Sequence, residues 1–443
     1  MTSKPTTTPR EIYAETATPT SADASGLRPN RDGPAKDTRP EIPNDIRGLP
    51  RPPGSSPMRT VARWLVVVVV VGHGLIHLLG AFKGLGWAQV PALPEPISPA
   101  LGIVWLTAAV AVVATGVLLA VRHRRWWVAG ILGVIISQAV ICTSWNDAKT
   151  GTVANALLLA ALGYTLISRG PFSFRAEYRR RSAAALGESL QSSAEVVTET
   201  DLAHLPDPLA EYIRRSGAIG QPRVRSLHAR FHGRIRSGAK APWMTYTGEQ
   251  VNTFGTSPSR LFLMDATMFG LPVDVLHVLA GPTATMRVKL CSVLPMVNAA
   301  GPEMDRAETV TLFNDLCILA PAALIDAPIN WQRLDDNHLR GEFTNGPQTV
   351  SADLTFQDGD LIDFVSDDRM STSRDGVTFT PQRWSTPLRD YRTLGTRRLA
   401  TDGEGRWHTT DPQSQYAYLE YHLDAITFNE IVESHLTTTP KAA

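Results

Sequence analysis

Residues 64–82 read WLVVVVVVGHGLIHLLGAF, nineteen positions with no acidic residue and no lysine or arginine. A helix crosses the hydrocarbon core of a bilayer with about 20 apolar residues, so this stretch reads as a transmembrane span. Three more stretches repeat the pattern: Leu101–Val121, Trp126–Trp145 and Thr152–Ser168. Nothing comparable stands elsewhere in the 443 residues. The overall composition, 43% hydrophobic with a net charge of +1, conceals the spans because a polar tail and a polar second half dilute them.

The chain therefore divides into parts that differ in kind. Residues 1–58 hold eleven prolines and eight threonines without apolar periodicity; such a segment buries too little apolar surface to offset its ordering entropy and is predicted to be disordered. Residues 59–170 form the four-helix transmembrane unit. Residues 171–216 read as a basic juxtamembrane, partly helical linker, 217–430 as a β-rich domain and 431–443 as a C-terminal tail. A net charge near zero argues against a nucleic-acid partner. Cys142, Cys291 and Cys317 make neither a disulfide framework nor a metal-ligand spacing.

Orientation follows from the basic residues that flank the spans, since cytoplasmic loops retain positive charge. Arg47, Arg51, Arg59 and Arg63 precede the first span, and Lys83 alone follows it. Arg122, Arg124 and Arg125 stand between the second and third, Lys149 after the third, and Arg169, Arg175, Arg179, Arg180 and Arg181 beyond the fourth. The alternation predicts a plasma-membrane protein with its N-terminus and its C-terminal domain both cytoplasmic. Trp126, Trp127 and Trp145 suit the aromatic belts.

Inside the spans the polar residues are few. His73 and His77 stand four apart on one helix face, a spacing that suits hydrogen bonding across helices, proton handling, or a metal or haem. Gln138 lies at comparable depth, and Asp147, Lys149 and Asn155 follow in the same outer half. Ionisable groups in a membrane are costly and face the bundle interior, so these six are expected to converge in one polar pocket.

In the second half the period changes to two. Ser226–Arg236 alternates Leu227, Ala229, Phe231, Gly233 and Ile235 with a basic face of His228, Arg230, His232, Arg234 and Arg236, a strand pattern. That face is either solvated or set against anionic headgroups. Gln348–Phe356 alternates likewise and ends at Asp358-Gly359, a hairpin signal. Arg374-Asp375-Gly376 and Asp402-Gly403 suggest further turns, and Trp384–Arg392, Leu399–Trp407 and Tyr416–Leu423 further strands. Leu209–Ser216 and Pro302–Leu319 read as helices. Phe269–Val278 and Leu290–Met296 are apolar but poorly periodic, and the first is expected to cover the sheet together with Pro302–Leu319. Six of the nine methionines stand at Met244, Met264, Met268, Met286, Met296 and Met304. Methionine adapts to irregular apolar surfaces, so these six are the candidate lining for a lipid-like guest. Glu249, Asp265, Glu303 and Asp305 are carboxylates whose pairing only a fold reveals. No phosphate-binding loop, nucleophile elbow, zinc motif or dinucleotide fingerprint is present, and no cofactor is legible.

The chain resembles a bacterial membrane-protein family of unknown function. The likeness rests on Gly72-His73-Gly74-Leu75-Ile76-His77-Leu78-Leu79-Gly80, on Trp145-Asn146-Asp147-Ala148-Lys149-Thr150-Gly151-Thr152, on Leu205-Pro206 with Tyr212-Ile213-Arg214, on Trp243-Met244 with Glu249-Gln250, and on Gly301-Pro302-Glu303-Met304-Asp305. It spans roughly residues 64–425 and implies no established activity. By order of elements the second half is also similar to lipoprotein-carrier folds, which implies a curved antiparallel sheet with helices that enclose acyl chains. The expectation is a membrane four-helix bundle followed by a curved antiparallel half-barrel, non-enzymatic, with the bilayer and a lipid or acyl ligand as partners. The alternatives are a membrane redox or transport unit centred on His73 and His77, and a lipid-modifying enzyme.

Overall fold

The computed structural model describes residues 57–189, 195–373, 375–409 and 415–430. The two expected tails lie outside these residues, except that the first helix begins at Pro57, two residues ahead of the expected boundary.

Five helices build the membrane unit: α1 (Pro57–Gly84), α2 (Pro99–Ala120), α3 (Trp126–Thr143), the single turn α4 (Trp145–Ala148) and α5 (Gly151–Arg169). Four of them are long and apolar enough to cross a membrane. Apolar side chains gain little from leaving lipid, so helices associate there through close packing of small residues. A Cβ at Gly80 would stand 2.3 Å from the Trp105 ring, and one at Gly84 only 2.6 Å from the Cα of Gly102. Leu65, Val68, Ile76, Ile103 and Ile135 remain exposed on the outside of the bundle, an apolar surface of the kind that suits lipid.

Beyond residues 170–173, α6 (Phe174–Ser189) lies along the outer face of the sheet, where Phe174, Tyr178 and Leu186 pack on Val251, Leu261, Leu263, Leu276 and Val278. A short helix, α7 (Asp207–Arg215), precedes the strands. β1 (Ser226–Ile235), β2 (Met244–Thr253), β3 (Ser259–Met268), β4 (Leu271–Ala280), β5 (Thr283–Leu290) and β6 (Leu294–Ala300) form one antiparallel meander. After α8 (Pro302–Leu319) come β7 (Ile329–Arg333), β8 (His338–Asn345), β9 (Gln348–Gln357) and β10 (Asp360–Ser366). A separate ladder pairs β11 (Met370–Thr372) with β12 (Phe379–Pro381), and β13 (Trp384–Ser385), β14 (Leu388–Leu394), β15 (Arg397–Trp407) and β16 (Tyr416–Phe428) follow. β16 pairs with β1, so the order runs β6-β5-β4-β3-β2-β1-β16-β15-β13-β10-β9-β8-β7, with β14 beside β15.

This large antiparallel sheet curls into a half-barrel round α8, whose residues from Ala307 to Leu319 are all buried. The two arms meet across the opening, where the Asn345 side-chain amide donates to the Gly281 carbonyl at 3.0 Å. Gly346 allows the approach, because a Cβ there would lie 2.6 Å from Pro282.

Several expectations need correction. Phe269–Val278 is not a cover: Phe269 and Gly270 make the β3–β4 turn, and the rest is β4. Leu290–Met296 likewise comprises the end of β5, a turn and the start of β6. The strand pattern was masked because β4 is covered on both sides. Leu276 and Val278 face α6 while Val273 and Leu279 face the central core, and a strand buried on both faces reads as a continuous apolar run. Asp402-Gly403 lies within β15, between β14 and β16; glycine serves there because a Cβ would stand 2.4 Å from the Tyr421 hydroxyl. Trp384–Arg392 is two strands, interrupted at Pro387, which has no N–H for the ladder. Asp375-Gly376 does turn between β11 and β12, with Gly376 at φ 77°; Arg374 lies outside the described residues.

Phe313 is the centre of the half-barrel. It is fully buried, with its ring 5.2 Å from Phe364, 5.5 Å from Phe343 and 6.2 Å from Trp331. Phe313→Ala is expected to destabilise the half-barrel by about 3–5 kcal/mol. Thermal unfolding of the detergent-solubilised chain measures it; an unchanged midpoint would mean that α8 is not the core.

Candidate functional site

Two polar assemblies and one apolar wall qualify as candidate sites. The first is in the membrane unit, where α1, α3 and α5 meet. Ser137 Oγ donates to Asn155 Oδ1 at 3.0 Å and lies 2.7 Å from His77 Nε2, while His73 Nε2 stands 3.1 Å from both Ser137 Oγ and Asn155 Oδ1. Asn155 Nδ2 donates to Gln138 Oε1 at 3.0 Å, and Gln138 Nε2 to Thr152 Oγ1 at 3.2 Å. The two imidazoles touch edge to face at 4.6 Å, and His77 lies 5.2 Å from the Trp105 ring. Both histidines, Ser137 and Asn155 are buried.

The fold thus brings together His73, His77, Gln138 and Asn155 of the six expected residues, and adds Ser137 and Thr152. Asp147 accepts instead from the Glu95 amide at 3.1 Å, beside the Asn146 bond to Glu95 Oε1 at 2.7 Å, and Lys149 is exposed. These two belong to the loop layer: the turn at α4 carries them to the bundle's end, where the α1–α2 loop lies. Sequence reading passed over Ser137 because serine is common in spans. Among the described residues, no three His, Cys, Asp or Glu side chains gather as a metal-binding group. The assembly can hold helices together and pass hydrogen bonds from one helix to the next.

The second assembly is in the half-barrel. Arg260 on β3 donates to Asp315 Oδ2 at 2.7 Å and to Glu308 Oε2 at 3.0 Å, both on α8. Asp315 also accepts from Gln250 at 2.7 Å and from Asn252 at 2.9 Å, and His277 Nδ1 lies 3.2 Å from Glu308 Oε1. Arg260, Glu308, Asp315, Gln250 and Asn252 are buried. Burial opposes the Glu308 charge, but His277, Arg260 and Arg369 outweigh it and hold the carboxyl below the usual carboxylate range. Burial likewise opposes the Arg260 charge, and Asp315 and Glu308 keep it firmly protonated. Of these residues the sequence marks only Gln250 and, as an acidic residue in the first turns of the 302–319 helix, Glu308. They are 65 positions apart at the extreme, and only the curl of the sheet round α8 joins them.

Three of the five basic residues on the basic face of β1 meet carboxylates on neighbouring strands: His228 meets Glu249 at 2.9 Å, His232 meets Asp424 at 2.6 Å and Arg234 meets Glu420 at 2.6 Å. Asp265 pairs with Arg175 of α6, Asp305 accepts from the Ala284 amide at 2.6 Å, and Glu303 is exposed. Glu249, Asp265 and Asp305 are thus engaged separately, and the four carboxylates do not pair with one another. Ser385 Oγ lies 2.7 Å from His408 Nε2, but Ser385 is 1% exposed, so a substrate has no access to its hydroxyl. Nearby, burial raises the Asp363 carboxyl to about 6, against bonds from the Phe364 and Thr386 amides and the charge of Arg406.

The apolar wall is the inner face of β3–β6. Strand alternation places Met264, Met268, Val273, Val275, Met286, Val288, Leu290 and Val297 on it. Met264 and Val273 are buried, while the other six are half-buried. Of the six methionines, Met264, Met268 and Met286 lie on this wall, Met244 shares the inner face of β2 by alternation, and Met304 joins the same core from α8. Met296 points outward and is exposed.

The model of a family of unknown function, DUF6544, matches residues 195–420, just over half of the chain, and the chain belongs to that family. No curated protein matches its sequence. Among solved structures, it is similar to a domain named for outer-membrane lipoprotein sorting from Vibrio parahaemolyticus. That alignment covers 48% of this chain and 88% of the other, with 11% identity and a TM-score of 0.28. It is also similar to a β-barrel-like protein of the domain of unknown function DUF1849 from Brucella abortus, over 46% of this chain and 98% of the other, with 9% identity and a TM-score of 0.17.

Removing one partner of a buried ion network leaves an uncompensated charge. Arg260→Met is expected to cost about 3–5 kcal/mol, because Glu308 and Asp315 remain buried without it; chemical denaturation reads the loss. Asp363 shows the opposite linkage to a salt-bridged carboxylate. Its folded value, about 6, is raised, so its contribution is full below the ordinary value of about 3.9 and is lost as pH rises through about 6. Asp363→Asn should therefore raise the melting temperature at pH 8, and the gap should vanish towards about pH 4. A gap independent of pH would contradict the assignment.

Proposed function

We propose that this member of the DUF6544 family is a non-enzymatic plasma-membrane protein whose half-barrel takes up a lipid-like ligand at the membrane surface. The observation that carries the reading is the inner wall of β3–β6, which is apolar yet half-buried. α8 covers the end of this arm marked by Arg260, His277 and Ala284, where its Glu308 and Asp305 are bonded. The wall continues past α8 to Met268 and Leu290, at the end of the arm beside the last turn of α5: Ile167 and Ser168 line one small cavity with Leu263, Lys289 and Ser292. Apolar surface left open beside a bilayer favours an acyl chain over water, and methionine side chains at 268 and 286 adapt to chains of different shape.

Orientation enters the same reading. The charge alternation supports placing the N-terminus, the loop of Arg122 to Arg125 and the half-barrel on the cytoplasmic side, so the ligand comes from the inner leaflet. His73, His77, Gln138 and Asn155 serve, in this proposal, as hydrogen-bonded fastening between spans.

A phospholipid with a photoactivatable acyl chain, added to proteoliposomes of the full chain, tests the reading. Adducts are expected on Met268, Met286 and Val288, and Met286→Glu should abolish them while labelling of the spans persists. Adducts confined to the spans would remove the ligand-binding reading.

A further inference from the structure

We propose that the β3–β4 and β5–β6 hairpin tips insert into the interfacial layer of the bilayer beside α5, so that the half-barrel is a membrane-embedded rather than a merely tethered domain. Eight large apolar side chains are exposed among the described residues beyond 189, and five of them, Phe269, Leu271, Val293, Leu294 and Met296, stand on these two adjacent hairpins. Scattered exposed apolar residues need no explanation, but a contiguous set marks an interaction surface. The tips are held together: the Cys291 amide donates to the Pro272 carbonyl at 2.7 Å.

Their backbone is the second observation. Phe269 has φ 49°, Cys291 φ 53° and Ser292 φ 60°, the left-handed region in which a bulky residue is uncommon. A hairpin of this kind is made most cheaply by Asn-Gly. Here the first turn position is a phenylalanine that is 80% exposed. Strain at such a position is offset only where the side chain has a use, and water offers an exposed aromatic ring none.

Position relative to the membrane identifies the occupant. Ser292, in the second tip, lines the same small cavity as Ile167 and Ser168, the last turn of the fourth span. The β5–β6 tip therefore lies level with the end of the hydrophobic span, and the β3–β4 tip extends beyond it from Pro272. Phe172, 93% exposed, follows that span directly, and Arg169, Arg179 and Arg180 are exposed around it. Aromatic side chains at headgroup level, flanked by arginines, are the pattern of an interfacial anchor. α6 fixes the level, because it leaves α5 after residues 170–173 and is clamped on the sheet through Phe174 and through Glu177, which accepts from Arg287 at 2.7 Å.

The inference does not depend on a ligand in the half-barrel, and its test reads a different quantity. Nitroxide labels are placed at Phe269→Cys and Leu294→Cys in a Cys142→Ser, Cys291→Ser full chain, reconstituted in vesicles of phosphatidylcholine and phosphatidylglycerol. A control label at Ser257→Cys sits in the turn before β3, at the other end of a ten-residue strand that is about 30 Å long at 3.3 Å per residue. Collisions with oxygen should exceed those with a water-soluble nickel chelate at 269 and 294, and the reverse should hold at 257. If a label at 269 prevents folding, Val293→Cys supplies the same reading. Water-like accessibility at the tips, equal to that at 257, would overturn the proposal.

Discussion

One arginine ties the central helix to one arm of the half-barrel. Arg260 reaches from β3 to two carboxylates on α8, seven residues apart, and both ends of the bridge are buried. A helix enclosed by a sheet has no solvated side on which to place charges, so Glu308 and Asp315 must be neutralised where they stand. Gln250 and Asn252 supply the remaining donors to Asp315, and His277 and Arg260 those to Glu308. Each donor comes from β2, β3 or β4, so the register of α8 against that arm is set by polar geometry. Phe313, between the two carboxylates in sequence, then meets Phe343 and Phe364 of the opposite arm. The network positions the helix, and the aromatic contacts supply the apolar burial that makes enclosure favourable.

The membrane unit solves a similar problem by other means. Between lipid and protein the transfer of apolar groups yields little, so its packing relies on glycines at 74, 80, 84 and 102 and on one hydrogen-bonded cluster. Ser137 is the joint of that cluster, since it touches His73, His77 and Asn155 together. The two units are joined by α6, which continues from the fourth span and buries the outer face of β2–β4. Because α6 packs on the sheet, the β domain is held at a defined height, with its apolar tips and the open end of its inner wall near the end of α5.

Periodicity and charge by themselves determined the four spans, the helix at 302–319, the strands at 226–236 and 348–356 and the Asp358-Gly359 hairpin. Each is a local property: a run of about 20 apolar residues, a period of two, or a turn dipeptide carries its meaning without reference to distant chain. The six methionines were grouped by their chemistry alone, and it is the pleat of the folded strands that puts Met264, Met268 and Met286 on one wall. Met296 departs because it is the neighbour of Val297, whose side chain is on the inner face, so the pleat turns it outward.

Tertiary structure alone decided what lies opposite what. β4 was read as a cover because α6, nearly a hundred residues earlier, buries the face that would otherwise be polar. Asp402-Gly403 was read as a turn, although its glycine makes room for Tyr421. Asp147 and Lys149 were grouped with the histidines by depth, yet the α4 turn carries them to the end of the bundle. Arg260 and Asp315 carry no local mark at all, and Glu308 only that of an acidic residue in the first turns of a helix. Their meaning arises only when the sheet curls round α8, because a charge is costly or useful according to its burial and its partners, and both of those are properties of the folded chain.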